Sequence, residues 1–331
     1  MYLHYGFLHV WRWLLAGFSL PGLLFVGLWS LPLAAETLPA LRLSVLQYGT
    51  AHWELDYIQR EGLDRQQGFA LELHPVANLP ASRLALTSKT VDGAVADLLW
   101  VQSRYEAGAA LLYVPFSSRI GEVVVAPDSS ISRIADLAGK RIGVAGGPDS
   151  KGWILLQRVA AGQGLDLAAS SEIQYAAPPL LSEALRRGRL DAVVTYWHFA
   201  ARLQAEGSAR TLMPLSDLLV ELSLADQLPV LGYVFRDDWG RQNRELVDRF
   251  AAALRQAKQA LTNNPDAWAS VRALMRARDD RTFAALQSGF VAGTPPALDD
   301  ERIASLQQLL LLTGTAPERV MPSSLFYREH P

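Results

Sequence analysis

The chain has 331 residues, with 31 Lys and Arg against 33 Asp and Glu, a formal charge of −2 and no Cys. Without cysteine there are no disulfides, thiolate metal sites, cysteine nucleophiles or lipid-modified N-terminal Cys, and near-neutral charge gives no support to a general nucleic-acid binder. Half of the residues are hydrophobic and only 19% are charged, which is wrong for a disordered chain and, at roughly 150 residues per domain, predicts two folded units.

Residues 1–35 hold one basic residue, Arg12, then an apolar stretch from Trp13 to Leu33 that is broken by Pro21-Gly22 and closed by Ala34-Ala35. That order reads as a secretory signal peptide cleaved after Ala35. About 20 apolar residues would also suit an uncleaved anchor, but the Pro-Gly break and the small-residue exit favour a peptidase site. Either way, residues 36–331 are expected in the periplasm, and the absence of Cys excludes a lipoprotein. No later apolar run approaches about 18 residues, so the chain does not read as a permease.

Alternation over Leu41–Leu46 predicts a first strand, and a helix follows with Leu55, Ile58 and Leu63 on one face and Gly68 as its stop. Strands are predicted at 69–73 and 91–96 with a short helix at 82–87 between them. Asp97 then stands as N-cap of the next helix, and strands at 111–114 and 122–126 complete the first lobe. Strands separated by helices imply parallel pairing through right-handed crossovers. The pattern restarts with a buried strand at 141–145, a turn at 146–150 and a helix at 151–161. Strand 172–175, helix 180–187, strand 191–195, helix 198–205 and strand 230–235 continue it. Beyond that the chain is almost wholly helical, and Leu246, Val247, Phe250, Ala253, Leu254, Ala257 and Leu261 share one helix face. The fold class expected is α/β, in two lobes joined by extended crossovers near 115–127 and 229–236. Lobe one takes 36–122 and 236–331; lobe two takes 123–235, including the crossovers. Two such crossovers make a hinge, and the cleft between the lobes is the natural ligand site.

Four segments resemble a known family. Ile131-Ser132-Arg133-Ile134-Ala135-Asp136-Leu137-Ala138-Gly139-Lys140-Arg141-Ile142-Gly143-Val144 is similar to the opening of the second lobe in periplasmic solute-binding proteins. Gly188-Arg189-Leu190-Asp191-Ala192-Val193 resembles the "G-x-[IVL]-D-A" element later in that lobe, and Thr90-Val91-Asp92-Gly93-Ala94 its first-lobe counterpart. Glu61-Gly62-Leu63 through Leu73 resembles the passage after the first helix. The segments span about residues 41–240 in the family's order, and in style they are nearest the taurine/nitrate/sulfonate-type binders, which include thiamine-pyrimidine-precursor binders. The resemblance implies a type II periplasmic-binding fold, no cofactor, a monomer, and delivery of a small molecule to an ABC permease.

The chemistry of the strand ends suggests where that molecule would sit, because ligands in open α/β sheets bind beyond the carboxyl ends of strands. Gln47, Tyr48, Gly49, His52 and Trp53 follow the first strand; Trp53 reads equally as a core residue of the helix. Asp97 either caps the next helix or meets a positive ligand group. Gly147, Ser150 and Lys151 lie on a strand-to-helix turn whose free N–H groups favour an anion, although Asp149 would repel one and the turn also reads as an ordinary cap. Tyr196 and Trp197 close the strand at 191–195, with one of the two expected in the core. Ser117, Arg119 and Tyr233 are placed at the hinge, where Arg119 would grip a carboxylate, sulfonate or phosphate or pair with Glu122. His52 has no companion ligand, so no metal is expected. The sequence has no G-x-S-x-G, H-E-x-x-H, P-loop or G-x-G-x-x-G, so it does not read as an enzyme. The paired carboxylates at 237–238, 279–280 and 299–300 read as helix starts. The function expected is capture of a planar or anionic organic molecule. The alternatives are a periplasmic sensor or accessory factor of an oxidoreductase system, and a pyrimidine-synthase-like enzyme on the same fold.

Overall fold

A computed structural model describes residues 38–328; the signal segment expected at 1–35 lies outside them. The strands are β1 (Ala40–Leu46), β2 (Ala70–Val76), β3 (Gly93–Asp97), β4 (Leu111–Ser117), β5 (Glu122–Val125), β6 (Arg141–Ala145), β7 (Glu172–Ala176), β8 (Ala192–Thr195), β9 (Arg210–Pro214) and β10 (Leu231–Arg236). They form two five-stranded sheets, ordered β2-β1-β3-β10-β4 and β7-β6-β8-β5-β9. The sheets are built alike. Each has three parallel strands, then an antiparallel strand, then an edge strand.

The antiparallel strand corrects two expectations. Residues 122–126, counted among the first lobe's strands although 123–235 are assigned to lobe two, pair in the second sheet, with Val123 opposite Val194 and Met213. Residues 230–235, read with the second lobe, lie inside the first sheet as β10, with Val234 opposite Ala94 and Tyr113. A short apolar run announces a buried strand but carries nothing about its partner. The crossings between the sheets therefore reduce to 118–121 and to the segment between β9 and β10. Gly121 is required in the first of these: its φ is +155°, and a Cβ would stand 2.1 Å from the Thr195 carbonyl oxygen. β9 escaped the sequence because all five of its residues are half-buried, with no alternation to see. The helix expected to run to Gly68 breaks at Gly62, whose φ of +66° ends the turn.

One side-chain device appears twice. Asp92, just before β3, accepts from the Arg42 backbone N–H at 2.9 Å, from its Nε at 3.1 Å and from its Nη2 at 2.7 Å. Asp191, just before β8, accepts from the same three groups of Arg141 at 2.9, 3.0 and 2.6 Å. Each clasp ties the loop entering the third parallel strand to the start of the first, so the aspartate of each "D-x-A"-like motif sets strand register. The Arg141 bonds hold the Asp191 carboxyl below its usual range.

The first sheet packs Leu41, Leu43 and Val45 against Leu55, Ile58, Phe250, Leu254 and Leu261, the last three from the helix Arg244–Asn263. The second sheet packs Val124 and Val193 against Leu181, Leu185 and Leu203. A further cluster joins Ala94 and Val101 to Val144, Trp153 and Leu156, and to Ile303, Leu306 and Leu310 of the helix Asp300–Leu312. Asp279 and Asp299 cap their helices through Thr282 and Arg302 N–H, while Asp237 pairs with Arg241. No helix among the described residues is long and apolar enough to cross a membrane.

Asp92→Ala is expected to cost about 1–3 kcal/mol in urea unfolding, because the buried acceptor of three bonds is lost. Asp191→Ala should cost less, its carboxylate being more exposed (30% against 5%).

Candidate functional site

Asp97 at the end of β3, Arg83 on the helix Leu79–Thr87 after β2, Lys151 after β6 and Tyr196 after β8 are the polar side chains of the candidate site. Asp97 ends β3 and caps the helix Leu98–Glu106 by accepting from the Trp100 N–H at 3.0 Å. Its second oxygen accepts from Arg83 Nη2, also at 3.0 Å, and the Arg83 guanidinium lies 5.0 Å from the Trp100 ring centre. Arg83 Nε is buried without a partner. Lys151 opens the helix Lys151–Gly162 after β6; burial pushes its ammonium down, with Asp97 opposing and Arg83 adding to the effect. No hydrogen bond or ion pair holds Lys151 among the described residues. Tyr196, after β8, has its phenol raised by burial and then by Asp97. These four groups therefore sense one another across the two sheets. Beside Lys151, with Leu98, Leu99, Leu155, Val230, Leu309 and Thr313, there is a cavity of only about 10 Å³, room for about one water.

The turn after β6 is shaped as a cradle. Gly147 is buried with φ +144°, and its carbonyl accepts from Ser150 N–H at 3.1 Å. Ser150 is the N-cap but its hydroxyl makes no capping bond. Against Gly146 lies the Tyr196 hydroxyl, 2.9 Å from where a Cβ would be. Asp149 is exposed at the rim.

The remaining sequence-derived residues separate from this group. Trp53 and Trp197 are core residues, 1% and 3% exposed, edge to face with ring centres 6.1 Å apart. Trp197 seats on the helix Asp280–Ala292, where a Cβ on Gly289 would be 2.5 Å from its ring, so glycine there admits the indole. Trp197 follows β8 of the second sheet but packs with the first sheet's cluster. Arg119 pairs with Glu122 at 3.1 Å and lies 5.8 Å from the Trp197 ring centre. Ser117 Oγ accepts from the Arg119 N–H at 3.2 Å. Gly49 is the N-cap of the first helix, Thr50–Arg60, and Gln47 is exposed with its carbonyl 2.9 Å from His52 Nδ1. Tyr48 is half exposed, with the Arg276 guanidinium 3.9 Å from its ring centre.

Tyr233 corrects its placement at the hinge: it is fully buried in the first sheet and donates to Glu54 Oε1 at 2.6 Å. Glu54 is fully buried, its carboxyl raised by burial and opposed by Lys258, whose Nζ donates to Oε2 at 2.7 Å. Lys258 also lies within 4.8 Å of Phe116 and 5.2 Å of Phe290 ring centres. Sequence reading missed Arg83, Glu54 and Lys258. Lys258 did leave a signal, since it falls four residues after Leu254 and three before Leu261, within the apolar stripe of its helix. Arg83 left none beyond following an edge strand. Among the described residues no three His, Asp or Glu side chains come together as metal ligands.

A family model described as NMT1/THI5 like matches residues 54–268. The chain belongs to this family. No curated protein matches it. Among solved structures, this NMT1/THI5-like chain is similar to the alkanesulfonate-binding protein SsuA from Xanthomonas axonopodis pv. citri bound to MOPS, at 22% identity and TM-score 0.67, covering 89% of this chain and 100% of that one. It is also similar to the periplasmic aliphatic sulphonate binding protein SsuA from Escherichia coli, at 20% identity and TM-score 0.68, covering 83% and 91%. A putative periplasmic sulfonate-binding protein from Methylobacillus flagellatus matches at 15% identity and TM-score 0.64, covering 88% and 93%. These likenesses establish the two-lobed periplasmic-binding fold that the sequence motifs implied.

Two outcomes test the packing around the site. Lys258→Met leaves Glu54 buried and unpaired, an expected cost of about 3–5 kcal/mol, and adding Glu54→Gln should recover at least half of it in the same urea titration. His198, on the helix Trp197–Ala205, is pushed down to about 3 by burial and by Arg202. It stays neutral in the fold while the unfolded chain protonates near 6.5. Its contribution is therefore complete above 6.5 and is lost as pH falls towards 3, and His198→Gln should flatten that part of the stability–pH curve.

Proposed function

We propose that this protein is an extracytoplasmic solute-binding protein which holds a small organic anion between its sheets and hands it to an ABC permease. The observation that carries the reading is Lys151: a half-buried ammonium with no hydrogen bond or ion pair among the described residues, beside an arginine whose buried Nε is also unpartnered. Buried cations are paired in most folds, and here an anionic group would satisfy both donors. The sulfonate binders with the same fold favour that ligand class. Lys151, Arg83, Ser150, Gly147 and Tyr196 would hold the anionic group, with Trp100 as a flat neighbour.

The cavity of about 10 Å³ beside Lys151 is lined by none of Arg83, Asp97, Ser150 or Tyr196 and is far smaller than an organic ligand needs. In this proposal the ligand enters when the lobes part at the two crossings, with Gly121 as one pivot. Trp197 on Gly289 then acts as the contact that opens or rolls. A synthase reading finds less support. The chain has no Cys, His52 is engaged with Gln47, and His198 stays neutral at physiological pH. Export by the segment at 1–35 to the periplasm belongs to the same proposal, as do action as a monomer and without a cofactor.

The test is a thermal-shift screen of residues 36–331 against sulfonates, carboxylates, phosphate esters, pyrimidines and amino acids. At 100-fold its dissociation constant a true ligand stabilises the native state by about 2.7 kcal/mol, a shift of a few degrees. Hits should be anions and should be lost in Lys151→Met. Hits confined to neutral or cationic molecules, or anions that bind Lys151→Met unchanged, overturn the reading.

A further inference from the structure

We propose that Asp97 sets the charge of the ligand: by neutralising Arg83 it leaves one uncompensated cation, Lys151, so that the cleft takes monoanions in preference to dianions. The inference rests on the reading that the cleft binds an anion and names the residue that chooses among anions.

Asp97 cannot act as a loose counter-ion. One carboxylate oxygen is committed to the Trp100 N–H as the helix cap, and the other to Arg83, each at 3.0 Å. The cap bond ties the carboxylate to the rigid end of Leu98–Glu106, so an arriving anion meets a fixed negative charge rather than one that swings aside. Arg83 is pinned from its other side by the Trp100 ring. Lys151 shares its small cavity with Leu98 and Leu99, the two residues after Asp97, and pairs with no carboxylate among the described residues.

The other titratable groups that face the cluster leave this balance intact. Asp149 stands with Oδ1 3.1 Å from where a Gly147 Cβ would be and adds to the rise of Tyr196, but it is exposed, where water and salt screen it. Tyr196 and Tyr113 are both held neutral, each raised by burial and then by Asp97. Two cations and one fixed anion remain. A bound monoanion brings the cluster to neutrality. A dianion leaves a negative charge uncompensated next to Asp97 in a poorly hydrated place, which is unfavourable.

Methanesulfonate and sulfate test this directly, being tetrahedral and nearly isosteric but different by one charge. Thermal-shift titrations at constant ionic strength would use Lys151→Met as the blank for the general stabilising action of sulfate. The intact protein should bind methanesulfonate more tightly than sulfate. Asp97→Asn keeps a good N-cap residue and should raise the sulfate-to-methanesulfonate affinity ratio by about tenfold or more. Arg83→Gln is the second variant: Asp97 then neutralises Lys151, and methanesulfonate should weaken by about tenfold or more. If the intact protein prefers sulfate, or both variants leave the ratio and the methanesulfonate affinity unchanged, the role of Asp97 is overturned while the anion reading stands. If neither probe binds the intact protein better than Lys151→Met, both are overturned.

Discussion

Each sheet is completed by a strand that the chain delivers on arriving from the other one. β5 enters the second sheet antiparallel after the first crossing, and β10 enters the first sheet antiparallel after the return. Everything else follows from that exchange. The first crossing, 118–121, is short because it connects directly to strands locked in ladders, whereas the return from β9 to β10 carries the short helix Asp217–Glu221. Gly121 is the sharpest expression of the constraint, since the chain passes so close to the end of β8 that a side chain has no room. In the proposed function these two crossings are where the lobes would part.

On that frame the chain places charge unevenly. In the scaffold several cations are matched by a carboxylate, Arg42 with Asp92, Arg141 with Asp191 and Lys258 with Glu54, although Arg236 and Arg302 each keep a buried Nε without a hydrogen-bond partner. Between the sheets the matching is incomplete. Arg83 has one carboxylate partner and an orphaned Nε, and Lys151 has no ion pair among the described residues. What sets Lys151 apart is the lack of any ion pair, a desolvation cost that a bound anion would offset. The same contrast separates Tyr233, absorbed into the buried Glu54 network, from Tyr196, left beside the glycine turn.

Much of the architecture was legible before any coordinates. The alternation of strand and helix, its restart near residue 141 and the caps at Asp97, Asp279 and Asp299 come from local pattern, since each depends on neighbours within a few residues; the motif aspartates Asp92 and Asp191 were legible as motifs, but their partners Arg42 and Arg141 lie fifty residues away. Of the site, the sequence pointed to Lys151, Ser150, Gly147, Asp97 and Tyr196 because the carboxyl ends of parallel strands share one edge. It also offered Trp53 and Trp197, which follow such strands, and Tyr233, which lies in the antiparallel β10, yet all three turn inward. Which way an aromatic ring leaves a strand end depends on a gap supplied from far along the chain, as Gly289 supplies it for Trp197.

What the sequence by itself determined was therefore most of the elements, their parallel pairing within each half, the two-lobed class and the family. Those rest on periodicity, capping and short motifs, all of which act over one or two turns of chain. Tertiary structure alone decided the sheet to which β10 belongs, the pairing of Glu54 with Lys258 across 204 residues, and the meeting of Arg83 with Asp97. Those depend on partners that sequence order does not bring together, so their energies appear only once the chain has closed on itself.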